Sequence, residues 1–166
     1  MSASLSKNIS QCQYDLENKG FCLSSFDLPN ELFVQVKQKN YQKIDQIIEK
    51  LLRPNGSLFK YLQNFTKFSS TEFILSLRES ANEWEEDGIW HDDGSRVLAF
   101  SLSLTLTPPS QGGILEIRKK GETQSAKIPT PSYGTIIIFQ TGHAGHEHKI
   151  NAVTSGTRLV AAGWCS

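Results

Sequence analysis

Val97-Leu98-Ala99-Phe100-Ser101-Leu102-Ser103-Leu104-Thr105-Leu106-Thr107 alternates in character: Phe100, Leu102, Leu104 and Leu106 interleave with Ser101, Ser103, Thr105 and Thr107. Successive side chains of a β-strand point to opposite faces, so a period of two predicts a strand with one buried and one wet face. Further strand candidates run from Glu72 to Leu77, Gly113 to Arg118, Gln124 to Ile128, Thr135 to Phe139, Lys149 to Val153 and Arg158 to Gly163. Turn-forming residues separate them at Pro108-Pro109, Gln111-Gly112-Gly113, Lys120-Gly121, Pro129 to Gly134 and Ser155-Gly156. Many short strands with turns between them predict an antiparallel sandwich or jelly roll.

Before about residue 70 the period changes. Ile44, Ile47, Ile48, Leu51 and Leu52 recur at helical spacing until Pro54-Asn55-Gly56 stops them, so an amphipathic helix is predicted there. A shorter helix is expected after Pro29, with Asn30 as its N-cap, and a third from Ser57 through Phe65. Gly20-Phe21-Cys22-Leu23 reads as a short strand. The fold class is therefore α+β: a helical part over about 1–70 packs on one outer face of a jelly-roll core over about 71–166. One domain spanning 1–166 is expected.

The chain carries 17 basic and 17 acidic residues, so no overall field draws it to nucleic acid or to an anionic membrane. Lys119-Lys120 with Lys127 is too thin a patch to change that. The cysteines, Cys12, Cys22 and Cys165, lack metal-ligand spacing and are odd in number. They are expected to be free thiols in a reducing compartment. No secretory leader or membrane-spanning apolar run is legible, and a soluble, cytoplasmic protein is expected.

The residues that carry chemistry lie between Trp90 and Trp164. His91-Asp92-Asp93 is followed by His148 and then by Arg158. Two imidazoles and one carboxylate are the donors of a facial-triad Fe(II) site, which leaves three positions open. In an extended segment His91 and Asp93 share a face and Asp92 points away, so Asp93 is the preferred carboxylate. A hairpin centred near Ser155 would place Arg158 opposite Ala152 and on the same face as His148. The two would then lie four residues apart along the strand, roughly 13 Å. A five-carbon dicarboxylate and an extended arginine could bridge that gap, and a guanidinium fork suits the terminal carboxylate.

This pattern resembles the Fe(II)/2-oxoglutarate-dependent dioxygenases, and among them the prolyl 4-hydroxylase-like group. The family's His-x-Asp…His…Arg signature falls on His91, Asp93, His148 and Arg158, and its Gly-Gly-x-Leu turn on Gly112-Gly113-Ile114-Leu115. Gly134 to Phe139 is similar to the strand that leads to the distal histidine, and Val153 to Arg158 is close to the Val-Thr-x-Gly-x-Arg run. The likeness covers about residues 20–164. It implies a double-stranded β-helix and three iron ligands, His91, Asp93 and His148, that are also the catalytic set. Arg158 would bind the far carboxylate of 2-oxoglutarate. Fe(II), 2-oxoglutarate and O₂ would be required, with ascorbate as a candidate reductant. A C–H bond, that of a prolyl residue in a peptide or protein, would be hydroxylated as succinate and CO₂ are released. A small-molecule substrate is the other possibility.

The chain departs from the family in two places. Gln140 to Glu147 is long and carries His143 and His146, and a register slip of two would put His146 in the place of His148. Where the family often has a cosubstrate-binding Tyr, this chain has Ser101, Ser103 and Thr105, of which Ser103 is the choice. Two other readings compete with an oxygenase. In a cupin-type metalloenzyme three histidines and a carboxylate bind the metal and 2-oxoglutarate is not used. A non-catalytic jelly-roll module would keep the pocket without turnover. Neither accounts for Arg158. Taken singly, a His-x-Asp is more often a solvated loop, and Trp90, Trp164 and Ile136 to Ile138 are expected as core or pocket-wall residues.

Overall fold

The structure is a computed structural model that describes residues 3–80, 84, 87–109 and 111–166. Its elements in order are α1 (Ala3–Lys19), β1 (Phe21–Ser25), α2 (Asn30–Lys37), α3 (Tyr41–Leu52), α4 (Ser57–Leu62) and β2 (Thr71–Glu79). There follow β3 (Leu98–Ser103), β4 (Gln111–Gly112), β5 (Leu115–Lys119), β6 (Ala126–Ile128) and β7 (Thr135–Gln140). A 3₁₀ turn (Gly142–Ala144), β8 (His146–Ile150), β9 (Val153–Ser155) and β10 (Thr157–Cys165) complete the chain.

Among the described residues the strands make a five-stranded antiparallel sheet, β1-β7-β3-β10-β2, and a three-stranded sheet, β6-β5-β8, with the short pair β4-β9 at one side. This is the jelly roll expected from the alternating segments. The helices cover one face of the large sheet. Leu32, Ile44, Ile48, Leu58 and Leu62 pack there in one core with Phe100, Leu102, Leu104, Ile136 and Ile138. Ile44 and Ile48 lie one turn apart on α3 and are both fully buried, each burial contributing about 1.5–3 kcal/mol. Between the two sheets a second, smaller core joins Ala99, Ile137 and Phe139 to Leu115, Ile117 and Ile128.

The alternating segment behaves differently from expectation on its polar side. Ser101, Ser103 and Thr105 are 6%, 0% and 4% exposed, because their face looks at the opposing sheet and not at water. The hydroxyls find partners inside: Thr105 Oγ1 donates to the Leu159 carbonyl at 2.9 Å and accepts from the Leu159 N–H at 3.0 Å. Gly163, opposite Phe100 in the β10–β3 ladder, leaves room for that ring, since a Cβ there would overlap it.

Four further expectations are corrected. Asn30 is the first helical residue, and Pro29, with ψ 141°, holds the capping position without a side-chain bond. The side-chain cap is on α3, where Asn40 accepts from the Lys43 N–H. The predicted hairpin at Ser155 does not form: β9 pairs with β4, while β10 crosses to lie between β3 and β2. The Lys149–Val153 candidate is divided between β8 and β9, which belong to different sheets. Finally, Cys12 and Cys22 are bonded to each other across the α1–β1 corner, with Cα atoms 5.2 Å apart, and only Cys165 is a free, buried thiol. Odd number and spacing had suggested three free thiols. The corner itself turns at Gly20, whose φ of +83° suits glycine and against which the His146 imidazole packs. No helix among the described residues is long and apolar enough to cross a membrane.

Candidate active site

His91, just upstream of β3, and His148, in β8, are joined by an isolated antiparallel bridge. Directly opposed residues in such a bridge send their side chains to the same side. The two rings accordingly meet edge to face, with centroids 4.3 Å apart. His91 Nδ1 lies 3.0 Å from the Ile89 carbonyl, which can only accept. That contact selects the Nδ1–H form and leaves the Nε2 lone pair free for a cation. The Phe139 ring packs edge-on against His148 at 4.8 Å, and burial pushes the His148 pKa down to about 4, opposed by the Asp93 carboxylate. At neutral pH the ring is therefore the uncharged imidazole that can bind a metal.

Asp93 completes the set. Its Oδ2 is 3.7 Å from His148 Nε2, and donor atoms of His91, Asp93 and His148 all lie within 4.8 Å of one another. This is the one group of its kind found among the described residues. Thr141, fully buried just beyond β7, donates its hydroxyl to Asp93 Oδ2 at 2.8 Å and accepts the Asp93 N–H at 3.3 Å. Asp93 is thus held in one orientation, and no hydrogen bond among the described residues uses its Oδ1. Asp92 points away to Lys120, whose ammonium holds its carboxyl below the usual range. Two imidazoles and an oriented carboxylate converging on one point fit an Fe(II) ion.

The triad opens on a cleft between the sheets, lined by His91, His148, Phe139, Ser101, Arg158 and Arg78 among others. Arg158 is 3% exposed. Its Nη2 donates to Ser101 Oγ at 3.4 Å, its Nε is buried without a partner, and it makes no ion pair among the described residues. Burial, with the nearby Arg78 charge, pushes its pKa down to about 9, which leaves it cationic at neutral pH. Burying a guanidinium is costly unless an anion neutralises it, so a carboxylate bound against Arg158 would be favoured.

His91, Asp93, His148 and Arg158 are therefore brought to one cleft, although by a route other than the predicted hairpin. His148 and Arg158 stand on facing sheets. Ser103 is not part of the cleft lining. It donates to the Pro131 carbonyl at 2.7 Å and accepts from the Thr105 N–H, and Ser101 is the hydroxyl beside Arg158. His143 is exposed on the 3₁₀ turn and His146 packs on Gly20, so the three-histidine set of the cupin reading is not assembled. Sequence reasoning missed Thr141 and Arg78. Thr141 sits in the long Gln140–Glu147 stretch, where nothing in the pattern marks it. Arg78 had a signal, since it shares strand parity with Ser76 on the face opposite Phe73, Leu75 and Leu77 of β2.

A family model described as the 2OG-Fe(II) oxygenase superfamily matches residues 75–166. A PKHD-type hydroxylase of Prochlorococcus marinus is 36% identical over 98 residues, 59% of this chain and 42% of that protein. Another from a Picosynechococcus species is 42% identical over 66 residues, 39% of this chain and 27% of that protein. The chain spans less than half the length of these curated relatives. Among solved structures, a Pseudomonas putida prolyl-4-hydroxylase superposes with TM-score 0.65 at 15% identity, covering 95% of this chain and 97% of the other. A Trichoplax adhaerens prolyl hydroxylase, in complex with a peptide fragment of hypoxia inducible factor, gives 0.60 at 15% identity, covering 99% and 93%. At such identities the likeness is one of fold.

Proposed function

Because the chain belongs to the 2OG-Fe(II) oxygenase superfamily, we propose that its cleft hydroxylates a C–H bond, using Fe(II), O₂ and 2-oxoglutarate, and that the substrate is a prolyl residue of a peptide or protein. The observation that carries the reading is Arg158, a buried cation with no ion pair among the described residues, in the cleft lined by His91 and His148. The prolyl assignment draws support from the prolyl hydroxylases that share the fold, one of them holding a peptide.

In this reading His91, Asp93 and His148 hold the iron, with Thr141 fixing the Asp93 carboxylate. When bound, Fe(II) supplies the activation of O₂ that couples oxidation of 2-oxoglutarate to succinate and CO₂ with hydroxylation. Arg158 and Ser101 hold the far carboxylate and so align the keto-acid end toward the triad. Phe139 and Trp164 narrow the cleft and keep water from the reacting atoms.

The test is succinate formation by protein supplied with Fe(II), 2-oxoglutarate and ascorbate, with and without proline-containing peptides. Peptide-stimulated succinate and a peptide heavier by one oxygen are expected. Turnover stimulated only by small molecules would overturn the prolyl assignment, and absence of metal-dependent 2-oxoglutarate binding would overturn the whole reading.

A further inference from the structure

The cleft holds a second buried arginine that the triad and Arg158 leave without a role. Arg78 is 7% exposed and is the direct cross-strand partner of Arg158 in the β2–β10 ladder, so both side chains leave the same face of the sheet side by side. Each runs along its strand toward a serine: Arg158 reaches Ser101, and Arg78 Nη1 donates to Ser76. Like charges directly opposed across a ladder are destabilising, the more so when buried. Among the described residues only Asp87 pairs with either, at 3.1 Å from Arg78 Nε. The two guanidinium groups therefore carry one positive charge beyond what Asp87 neutralises.

Arg78 is also held rigidly. Its guanidinium lies under the Trp84 ring, 4.3 Å from the centroid, while Asp87 and Ser76 take Nε and Nη1. No hydrogen bond among the described residues uses Nη2. Stacking and two fixed hydrogen bonds pre-organise a fork in a cleft that already contains Arg158, a cation with no ion pair among the described residues. A side chain present only to satisfy Asp87 would not need to stand beside Arg158.

We infer that Arg78 is a specificity-determining residue of this cleft, a second guanidinium that reads the far carboxylate of the dicarboxylate cosubstrate together with Arg158 and Ser101. The inference rests on the function proposed above. It makes the cleft a two-arginine receptor, selective for a keto acid with a second carboxylate over one of equal length without it. Asp87 tempers the paired cations, and Trp84 keeps the fork in plane.

The experiment compares 2-oxoglutarate with 2-oxopentanoate, which has the same five-carbon chain and lacks the distal carboxylate. Affinities are measured by calorimetry on Mn(II)-loaded protein, without turnover. Arg78→Gln/Asp87→Asn removes one charge of each sign, so it leaves the net charge of the cleft unchanged. The double variant is expected to bind 2-oxoglutarate about ten-fold more weakly, the loss of a charge-assisted hydrogen bond, and 2-oxopentanoate as before. Unchanged 2-oxoglutarate affinity, or equal losses for both ligands, would overturn the inference and leave Arg78 a purely structural partner of Asp87. If the double variant fails to fold, Arg78→Lys reads the same ratio: a selective loss for 2-oxoglutarate supports the inference and an unaltered ratio overturns it. Wild-type protein that binds Mn(II) but not 2-oxoglutarate would instead overturn the proposed function, and this inference with it.

Discussion

His91 and His148 are hydrogen-bonded to each other through their main chains, each donating its N–H to the other's carbonyl at 3.0 and 2.9 Å. The first and last ligands of the candidate metal site, far apart in sequence, are thereby set in register by backbone and not by their rings. A side-chain substitution can remove a ligand without releasing the bridge.

His91→Ala is accordingly expected to shift apo stability by about 0.5 kcal/mol or less while abolishing the rise in melting temperature caused by Fe(II) or Mn(II). Thermal unfolding with and without metal checks this. A metal-induced rise equal to that of wild type would remove His91 from the site.

Thr141→Val keeps shape and burial but withdraws the hydroxyl that orients Asp93. Metal affinity should fall about 10–100-fold with both histidines intact, as read by competition against a chromogenic chelator. A loss of less than two-fold or so would mean that the carboxylate orients itself.

Arg158→Met should have opposite effects on the two states. Removing a buried charge that has no ion pair among the described residues is expected to stabilise the apo-protein by about 1–3 kcal/mol. The same change should abolish protection by 2-oxoglutarate, which for wild type at a hundred-fold excess over Kd is worth about 2.7 kcal/mol. Denaturant unfolding with and without the ligand separates the two. Undiminished protection in the variant would refute the assignment.

Two buried groups give the protein an alkaline limit. Burial pushes the Cys165 thiol from its ordinary 9.0 up to about 12, and the Tyr133 phenol from 10.0 up to about 12. Between those values the unfolded chain has lost protons that the folded chain keeps, so stability is fully present below about pH 9 and declines as pH rises toward about 12. Urea midpoints should fall across this window, and Tyr133→Phe should flatten the fall above about pH 10. A flat wild-type profile would contradict the burial of these groups.

The pairing of Cys12 with Cys22 predicts the outcome of thiol counting. With Ellman's reagent the native protein should show no reactive thiol, the unfolded protein only Cys165, and the unfolded and reduced protein all 3 cysteines. Three thiols in the unfolded, unreduced protein would mean that the bond is absent.

What was legible in the sequence was whatever repeats at short range. The alternation around Phe100 and the helical spacing of Ile44 and Ile48 report on one element each, and both elements formed, although the strand ends at Ser103 and not at Thr107. The His-x-Asp parity argument also held, since it needs only two residues of extended chain. The hairpin at Ser155 failed because sequence proximity was taken for pairing: Val153–Ser155 and Thr157–Cys165 are neighbours in the chain and ladder with different strands. Crossing between sheets is a long-range choice made by the whole core. Ser101 and Ser103 were indistinguishable by pattern for the same reason. They share a face, and only the approach of Pro131 to one and Arg158 to the other separates them. Nor does anything local mark α1 or the contact between Thr141 and Asp93.

Gly20 and His146 carry a consequence for where the unit that builds this site begins. The family match starts at residue 75, yet the ring resting on Gly20 belongs to the strand that presents His148, two positions further along and on the same inward face. The α1–β1 corner is thus a buttress against the strand that carries His148, pinned there by the Cys12–Cys22 bond and by the hydrogen bond from the Gln140 N–H to the Gly20 carbonyl. Trimming the chain to its recognisable oxygenase segment would remove the abutment and keep His91, Asp93 and His148, so a fragment that preserves the site's geometry has to include residues remote from the triad.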